Sequence, residues 1–206
     1  MKIQQLQYAG KSWKIHLHAE DFDRMQCQLV LVFGEASLIT DTAVFNYLER
    51  SYPEAHIILS SSPGSIINCT SPNNSVVVTA IQFDNITIHC AETYIYRHQN
   101  YFSAGYYLLQ QLQQSDLSAA FIVSDSTCSD NSELLSGFNK NNTQNIPVLS
   151  GLAGDSSQFP RTCVGVNQLP AAGVITAIGF YGPPIDLGSL GRLYDQTMTV
   201  SAFTEI

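Results

Sequence analysis

Three segments of this 206-residue chain gather side chains able to recognise a small molecule. Ser60-Ser61-Ser62-Pro63-Gly64-Ser65 follows the apolar stretch His56–Leu59, Ser124-Asp125 follows Ala119–Val123, and Gly151-Leu152-Ala153-Gly154-Asp155 follows Ile146–Leu149. Small residues leave room for a ligand, hydroxyls both donate and accept, and Asp125 and Asp155 supply acceptors for an amino group or hydroxyls. The candidate ligand-binding set is therefore Ser61, Ser62, Gly64, Ser124, Asp125, Gly151, Gly154 and Asp155. Taken singly, each also reads as turn or capping chemistry, because Ser, Asp and Gly close loops and satisfy helix starts.

Covalent catalysis has less support. The chain contains no Gly-x-Ser-x-Gly elbow, His-Glu-x-x-His pair, phosphate-cradling Gly-x-x-x-x-Gly-Lys-Ser/Thr or Gly-x-Gly-x-x-Gly turn. Cys128 lies in a Ser/Asp-rich loop with no base nearby in sequence, so nothing local turns its thiol into a nucleophile. A non-enzyme is expected, with a hydrolase or transferase using Ser, Asp or Cys at strand ends as the alternative. The cysteines at 27, 69, 90, 128 and 163 form no Cys-x-x-Cys clip, so no metal site is expected, and their odd number suits the reduced thiols of a cytoplasmic protein.

The elements that must position these loops are read from hydrophobic periodicity. Residues 28–33 form a continuous apolar run, as in a strand buried on both faces. A helix is expected over 37–50, with Thr40 or Asp41 as a cap, and a second strand over 56–60. Val76–Phe83 and Ile86–Tyr94 flank Asp84-Asn85, the signal of an antiparallel hairpin. Phe102, Tyr106, Leu109 and Leu112 share one helical face within 101–114, and strands over 119–124 and 146–149 flank a short helix over 132–139. Thr162–Val166 and Gly173–Tyr181 read as a further pair of strands, and His16 and His18 as part of an N-terminal one. The expected class is mixed α/β, with hairpins and packed helices in α/β/β/α layers. Leu29, Val30, Val32, Ile58, Val77, Ile81, Leu109, Phe121, Val123 and Ile178 are the expected core.

His56-Ile-Ile-Leu-Ser-Ser-Ser-Pro-Gly64, the segment from Ser124 to Gly137 and Pro147-Val-Leu-Ser-Gly-Leu-Ala-Gly-Asp155 share one further property. With Leu29-Val-Leu-Val-Phe-Gly34, Val76–Asp84 and Ile178-Gly-Phe-Tyr-Gly182, they resemble the N-terminal domain of the FIST family of bacterial sensory proteins, over about residues 28–190. The resemblance implies a sensory domain that binds a small molecule, with amino acids proposed as ligands. It implies an output partner such as a histidine kinase, a cyclic-di-GMP enzyme or a chemotaxis receptor. Some members bind haem and sense nitric oxide; here His98, with Tyr94, Tyr96, Tyr101 and Phe102 close in sequence, is the first candidate for an axial ligand. The loop after the second strand, usually Ser-Thr-Ala-Gly-Glu, is Ser61-Ser62-Pro63-Gly64-Ser65, so the family's carboxylate is missing there. Residues 1–206 are expected to form one such domain, without the usual C-terminal companion.

Composition narrows the partners. Nine Lys and Arg against 17 Asp and Glu leave a formal charge of −8, and the basic residues are scattered, so nucleic acid is not expected as a partner. Charged residues make up 13% of the chain and hydrophobic ones 45%, which excludes disorder. Apolar stretches such as Leu29–Phe33 fall far short of the roughly 20 residues that cross a bilayer, so no membrane partner is expected. Met1–Gln7 lacks the apolar core of a secretory leader, which again points to the cytoplasm.

Overall fold

The structure is a computed structural model that describes residues 1–62, 74–112, 115–126, 130–154 and 162–184. Its elements run β1 (Lys2–Ala9), β2 (Ser12–His18), β3 (Leu29–Gly34), α1 (Ala36–Ile39), α2 (Thr42–Ser51), β4 (His56–Ser61), β5 (Ser75–Gln82) and β6 (Thr87–Tyr94). They continue with α3 (Tyr101–Leu112), β7 (Leu117–Ser124), α4 (Asn131–Asn139), β8 (Val148–Leu152), β9 (Val164–Val166) and β10 (Val174–Tyr181). The strands form two mixed sheets, one in the order β2-β1-β5-β3-β4-β9 and the other β6-β10-β7-β8.

Three apolar layers hold these sheets. Leu6, Val30, Val32, Leu59 and Val78 pack under Ile39, Val44 and Leu48 of α1 and α2. Leu29, Leu31 and Ile58 of the first sheet meet Ile88, Phe121, Val123 and Ile178 of the second. Ala120, Ile122, Ile175 and Ala177 pack under Leu108, Leu109, Leu134 and Phe138 of α3 and α4. The result is the α/β/β/α layering expected from sequence, and it explains the unbroken apolar run 28–33: both faces of β3 are covered. All the expected core residues are buried except Ile81, which is half-buried against the layer between the sheets.

The expected hairpin at Asp84-Asn85 does not form. β5 is already paired on both edges, antiparallel to β1 and to β3, so β6 has no edge there to join. The chain instead crosses to the second sheet, where β6 pairs with β10. The expected pair at 162–181 separates in the same way: β9 joins β4, whereas β10 lies between β6 and β7, and a single bridge, Val164 to Ala171, links the two segments. The helix expected over 37–50 is two helices, because Asp41 caps α2 by accepting the Ala43 N–H at 2.8 Å.

The N-terminal hairpin turns at Gly10 and Lys11, both with positive φ (56° and 65°). It is fastened to α2 by Trp13, stacked on Tyr47 with ring centroids 4.3 Å apart, and by the Tyr52 hydroxyl, which donates to the buried Gln4 amide oxygen at 2.6 Å. His56 opens β4 and ties the sheets together: its Nε2–H donates to the Ile88 carbonyl at 3.1 Å, and Nδ1 accepts from Asn167 at 3.2 Å. The Asn167 amide is oriented by its oxygen, which accepts the Ile57 N–H at 2.8 Å, so this arrangement requires a neutral imidazole. Burial, followed by repulsion from His89, holds the His56 pKa below 6.5 against the raising effect of the Ile88 carbonyl.

Helices α3 and α4 touch backbone to backbone. A Cβ on Gly105 would lie 2.0 Å from the Leu134 carbonyl oxygen, and one on Gly137 would lie 2.0 Å from that of Phe102. Gly105→Ala or Gly137→Ala must force the helices apart, and each is expected to lower stability by about 3 kcal/mol in urea unfolding, with an unchanged m-value. His56 generates a second expectation. Its folded pKa is depressed, so its contribution is complete above about pH 6.5 and is lost as pH falls through the lowered value. The melting temperature should drop between about pH 7.5 and about pH 5, and His56→Gln, which keeps a donor to Ile88 but does not titrate, should reduce that drop. The His98 pKa is also lowered by burial, and His98 is present in both proteins, so the comparison isolates His56.

Candidate functional site

β3, β4, β7 and β8 all end at one edge of the layered sheets, and the antiparallel β5, β9 and β10 begin there. β4 belongs to the first sheet and β7 and β8 to the second, so the three candidate loops do not follow neighbouring strands of one sheet. They meet nevertheless, across the gap between the sheets.

The centre of the junction is a reciprocal pair. The Gly154 N–H donates to the Ser61 carbonyl at 2.9 Å, and the Ser61 hydroxyl donates to the Gly154 carbonyl at 3.1 Å. Ser61 also joins the start of β9: its N–H donates to the Cys163 carbonyl at 3.0 Å, and its Oγ accepts the Cys163 N–H at 3.0 Å. Within the second sheet, the Ala153 N–H donates to the Ser124 carbonyl at 2.8 Å. Ser62 follows, its N–H donating to the Gly34 carbonyl at 2.9 Å, and Gly151 lies inside β8 opposite Val123.

Asp125 is fully buried. Its Oδ1 accepts from the Thr162 hydroxyl, and its Oδ2 accepts the Gly173 N–H at 2.5 Å. Thr162 in turn accepts from the Ser126 N–H at 3.0 Å. The carboxylate therefore draws three distant stretches of chain together, a structural duty alongside whatever it offers a ligand. Gly64 and Asp155 of the candidate set lie outside the described residues, as do Cys69 and Cys128.

Two described groups at this edge went unnoticed in the sequence. Thr162 is bonded to a residue 37 positions away, and no local pattern announces such a pairing. Glu35, directly after β3, accepts the Asn74 N–H at 3.1 Å and places a carboxylate at the edge where the Ser61–Ser65 loop lacks one. Its signal was available: it is the first charged residue after the apolar run of β3.

Thiol chemistry is disfavoured here. Burial pushes the Cys163 pKa up to about 11, with the Asp125 carboxylate adding to the rise against the Ser61 hydroxyl, so Cys163 stays a protonated thiol at neutral pH. Cys27, Cys90 and Cys163 are free. Among the described residues no group of three or more His, Cys, Asp or Glu is placed to hold a metal ion. His98 is at the same end of the second sheet, but its Nε2 is hydrogen-bonded to the Thr93 hydroxyl at 2.7 Å and its ring lies 5.3 Å from that of Tyr107. Nε2 of His98 is thus engaged by a strand hydroxyl in this structure.

The family model described as the FIST N domain matches residues 28–201. The chain belongs to the FIST N domain family. FIST domains are sensory domains of signal transduction. The match takes in both sheets from β3 onward and leaves the β1–β2 hairpin outside it. No curated protein matches this FIST domain significantly. No described helix is long and apolar enough to cross a membrane.

Asp125→Ala leaves the Gly173 N–H and the buried Thr162 hydroxyl without their acceptor. It is expected to lower stability by about 2 to 4 kcal/mol, read as a shift of the urea midpoint, whether or not a ligand is bound.

Proposed function

We propose that this FIST domain senses a small molecule at the edge where β4, β7 and β8 end, and relays its presence to a signalling protein such as a histidine kinase or a cyclic-di-GMP enzyme. The observation that carries this reading is the reciprocal Ser61–Gly154 pair. It couples the end of a strand in one sheet to the end of a strand in the other, so a ligand touching either loop acts on both sheets. Ligand binding needs small side chains and hydrogen-bonding groups at a concave edge, and Ser61, Ser62, Ser124 and Gly154 supply them. We infer that the domain works as one unit, in the cytoplasm, where its odd number of cysteines remains reduced.

The output follows from differential binding. A ligand changes the signal only if it favours one arrangement of the two sheets over another. The polar bonds across the junction are the contacts whose rearrangement would distinguish two such states.

A thermal-shift screen of metabolites against the purified chain tests the function. One compound or a narrow chemical class is expected to raise the melting temperature in a concentration-dependent way, by the equivalent of about 2.7 kcal/mol at a hundredfold excess over Kd. Ser61→Ala should reduce that response. A flat screen over the main classes of metabolite, together with capture of protein partners that ignores every compound, would leave a scaffold and overturn the sensor.

A further inference from the structure

The polar groups at the sensory edge divide into two sets. One set, Ser61, Asp125 and Thr162, is bonded within the junction loops. The other, on the face of the second sheet beneath α4, is not fully satisfied. Along β7, Ala120 and Ile122 face the helices while Phe121 and Val123 face the other sheet, so Ser124 faces the helices by alternation. Along β8, Val148 faces the helices and Leu149 the other sheet, so Ser150 faces the helices too. The Asn131 Nδ2 confirms this by donating to the Ser150 Oγ at 2.9 Å. Ser124 is 0% exposed, and its Oγ and the Asn131 Oδ1 are buried without a hydrogen-bond partner.

We propose that this cluster of polar groups, between the first residue of α4 and the ends of β7 and β8, is a subsite for a neutral hydrogen-bond donor, a primary carboxamide carried on an aliphatic stem. The proposal rests on the sensory reading and names where and what that site binds. Ser150 lies beside Ile122 in the parallel register, and Ser124 is two residues further along β7, so the two open polar groups belong to one small area, about 7 Å along the strands. Two buried polar atoms without partners, from separate elements, carry a desolvation cost that a bound polar group removes. Thr176 Oγ1 is also without a partner, but it projects with Val174 and Ile178 into the apolar layer between the sheets.

The ligand class follows from charge and from donor and acceptor capacity. Ser124, Asn131 and Ser150 are neutral, and Asn131 is the first residue of a nine-residue helix whose aligned peptide dipoles place partial positive charge at this end. An ammonium would find the adjacent Asp130 carboxylate already engaged by the helix start and would lie against that field, at a high desolvation cost. A carboxylate is also unsuited. The Asn131 oxygen offers only lone pairs, and Asp130 already supplies the anion at the helix start, accepting the Glu133 N–H at 2.9 Å and the Ser132 hydroxyl at 2.6 Å. A carboxamide satisfies both orphans, its N–H donating to Asn131 Oδ1 and its carbonyl accepting from the Ser124 hydroxyl. Leu152, directly opposite Ser124 in register on the same face and 46% exposed, offers an apolar wall for the stem.

Isobutyramide is the probe, with isobutyrate and isobutylammonium as charged controls of the same shape, titrated into the uniformly ¹⁵N-labelled full chain and read by amide NMR. Isobutyramide is expected to shift the Asn131 side-chain amide and the Ser124 and Leu152 backbone amides saturably, and the controls are not. Ser124→Ala and Asn131→Leu should each weaken binding about tenfold or more. Ser124→Ala should also leave the melting temperature of the free protein unlowered, because the hydroxyl it removes has no partner. No saturable response, an equal response to either charged control, or unchanged affinity in Ser124→Ala overturns the subsite, as does an ordered water that bridges Ser124 and Asn131 and persists in a crystal soaked with isobutyramide. A metabolite from the thermal-shift screen that shifts Ser61 and Gly154 but leaves Asn131 and Ser124 untouched overturns the subsite while the sensory reading stands.

Discussion

The apolar layer between the two sheets is the constraint from which the rest of the architecture follows. Once Leu31 and Ile58 face Phe121 and Ile178, each sheet has one face committed to the other, and its remaining face needs helices. α1 and α2 cover the first sheet, and α3 and α4 the second. Strands in such a stack are buried on both sides, so their ends and the loops between them are where polar chemistry can be placed at low cost. The polar edge exists because the hydrocarbon stops there.

At that edge the polar residues do two different kinds of work. Asp125 and Ser61 hold chain to chain, and their bonds are complete within the protein. The Ser124 hydroxyl and the Asn131 amide oxygen are buried with capacity to spare. A satisfied polar group in a core specifies structure, whereas an unsatisfied one is costly to keep unless something else completes it. By this distinction the adjacent residues Ser124 and Asp125, which look like one motif in the sequence, have different duties.

The layers were legible in the sequence because burial leaves a local trace. The unbroken apolar runs of β3 and β7 and the helical spacing of Leu109 and Leu112 in α3 each announce burial. Sheet membership left no such trace. Asp84-Asn85 has the composition of a hairpin turn, and only the occupation of both edges of β5 by β1 and β3 decides that the chain must cross to the other sheet. The candidate loops were found for the same reason as the strands, since each is a polar stretch directly after an apolar one. Their meeting across two sheets, the bond from Thr162 to Asp125 and the commitment of His98 to Thr93 are tertiary facts that composition does not encode.

The position of β10 bears on how this chain is made. It is the last described strand, yet it sits inside the second sheet, with β6 on one side and β7 on the other. During synthesis β6 emerges some eighty residues before its only strand partner among the described residues, and β7 waits some fifty for the neighbour that completes its pairing. Until Tyr181 has left the ribosome, two apolar strands carry open edges, which are templates for pairing with other chains. The first sheet has five of its six strands within the N-terminal eighty-two residues, and only the short β9, which pairs with β4, comes late. The second sheet can therefore close only after its last described strand has been made, whereas most of the first sheet is available much earlier.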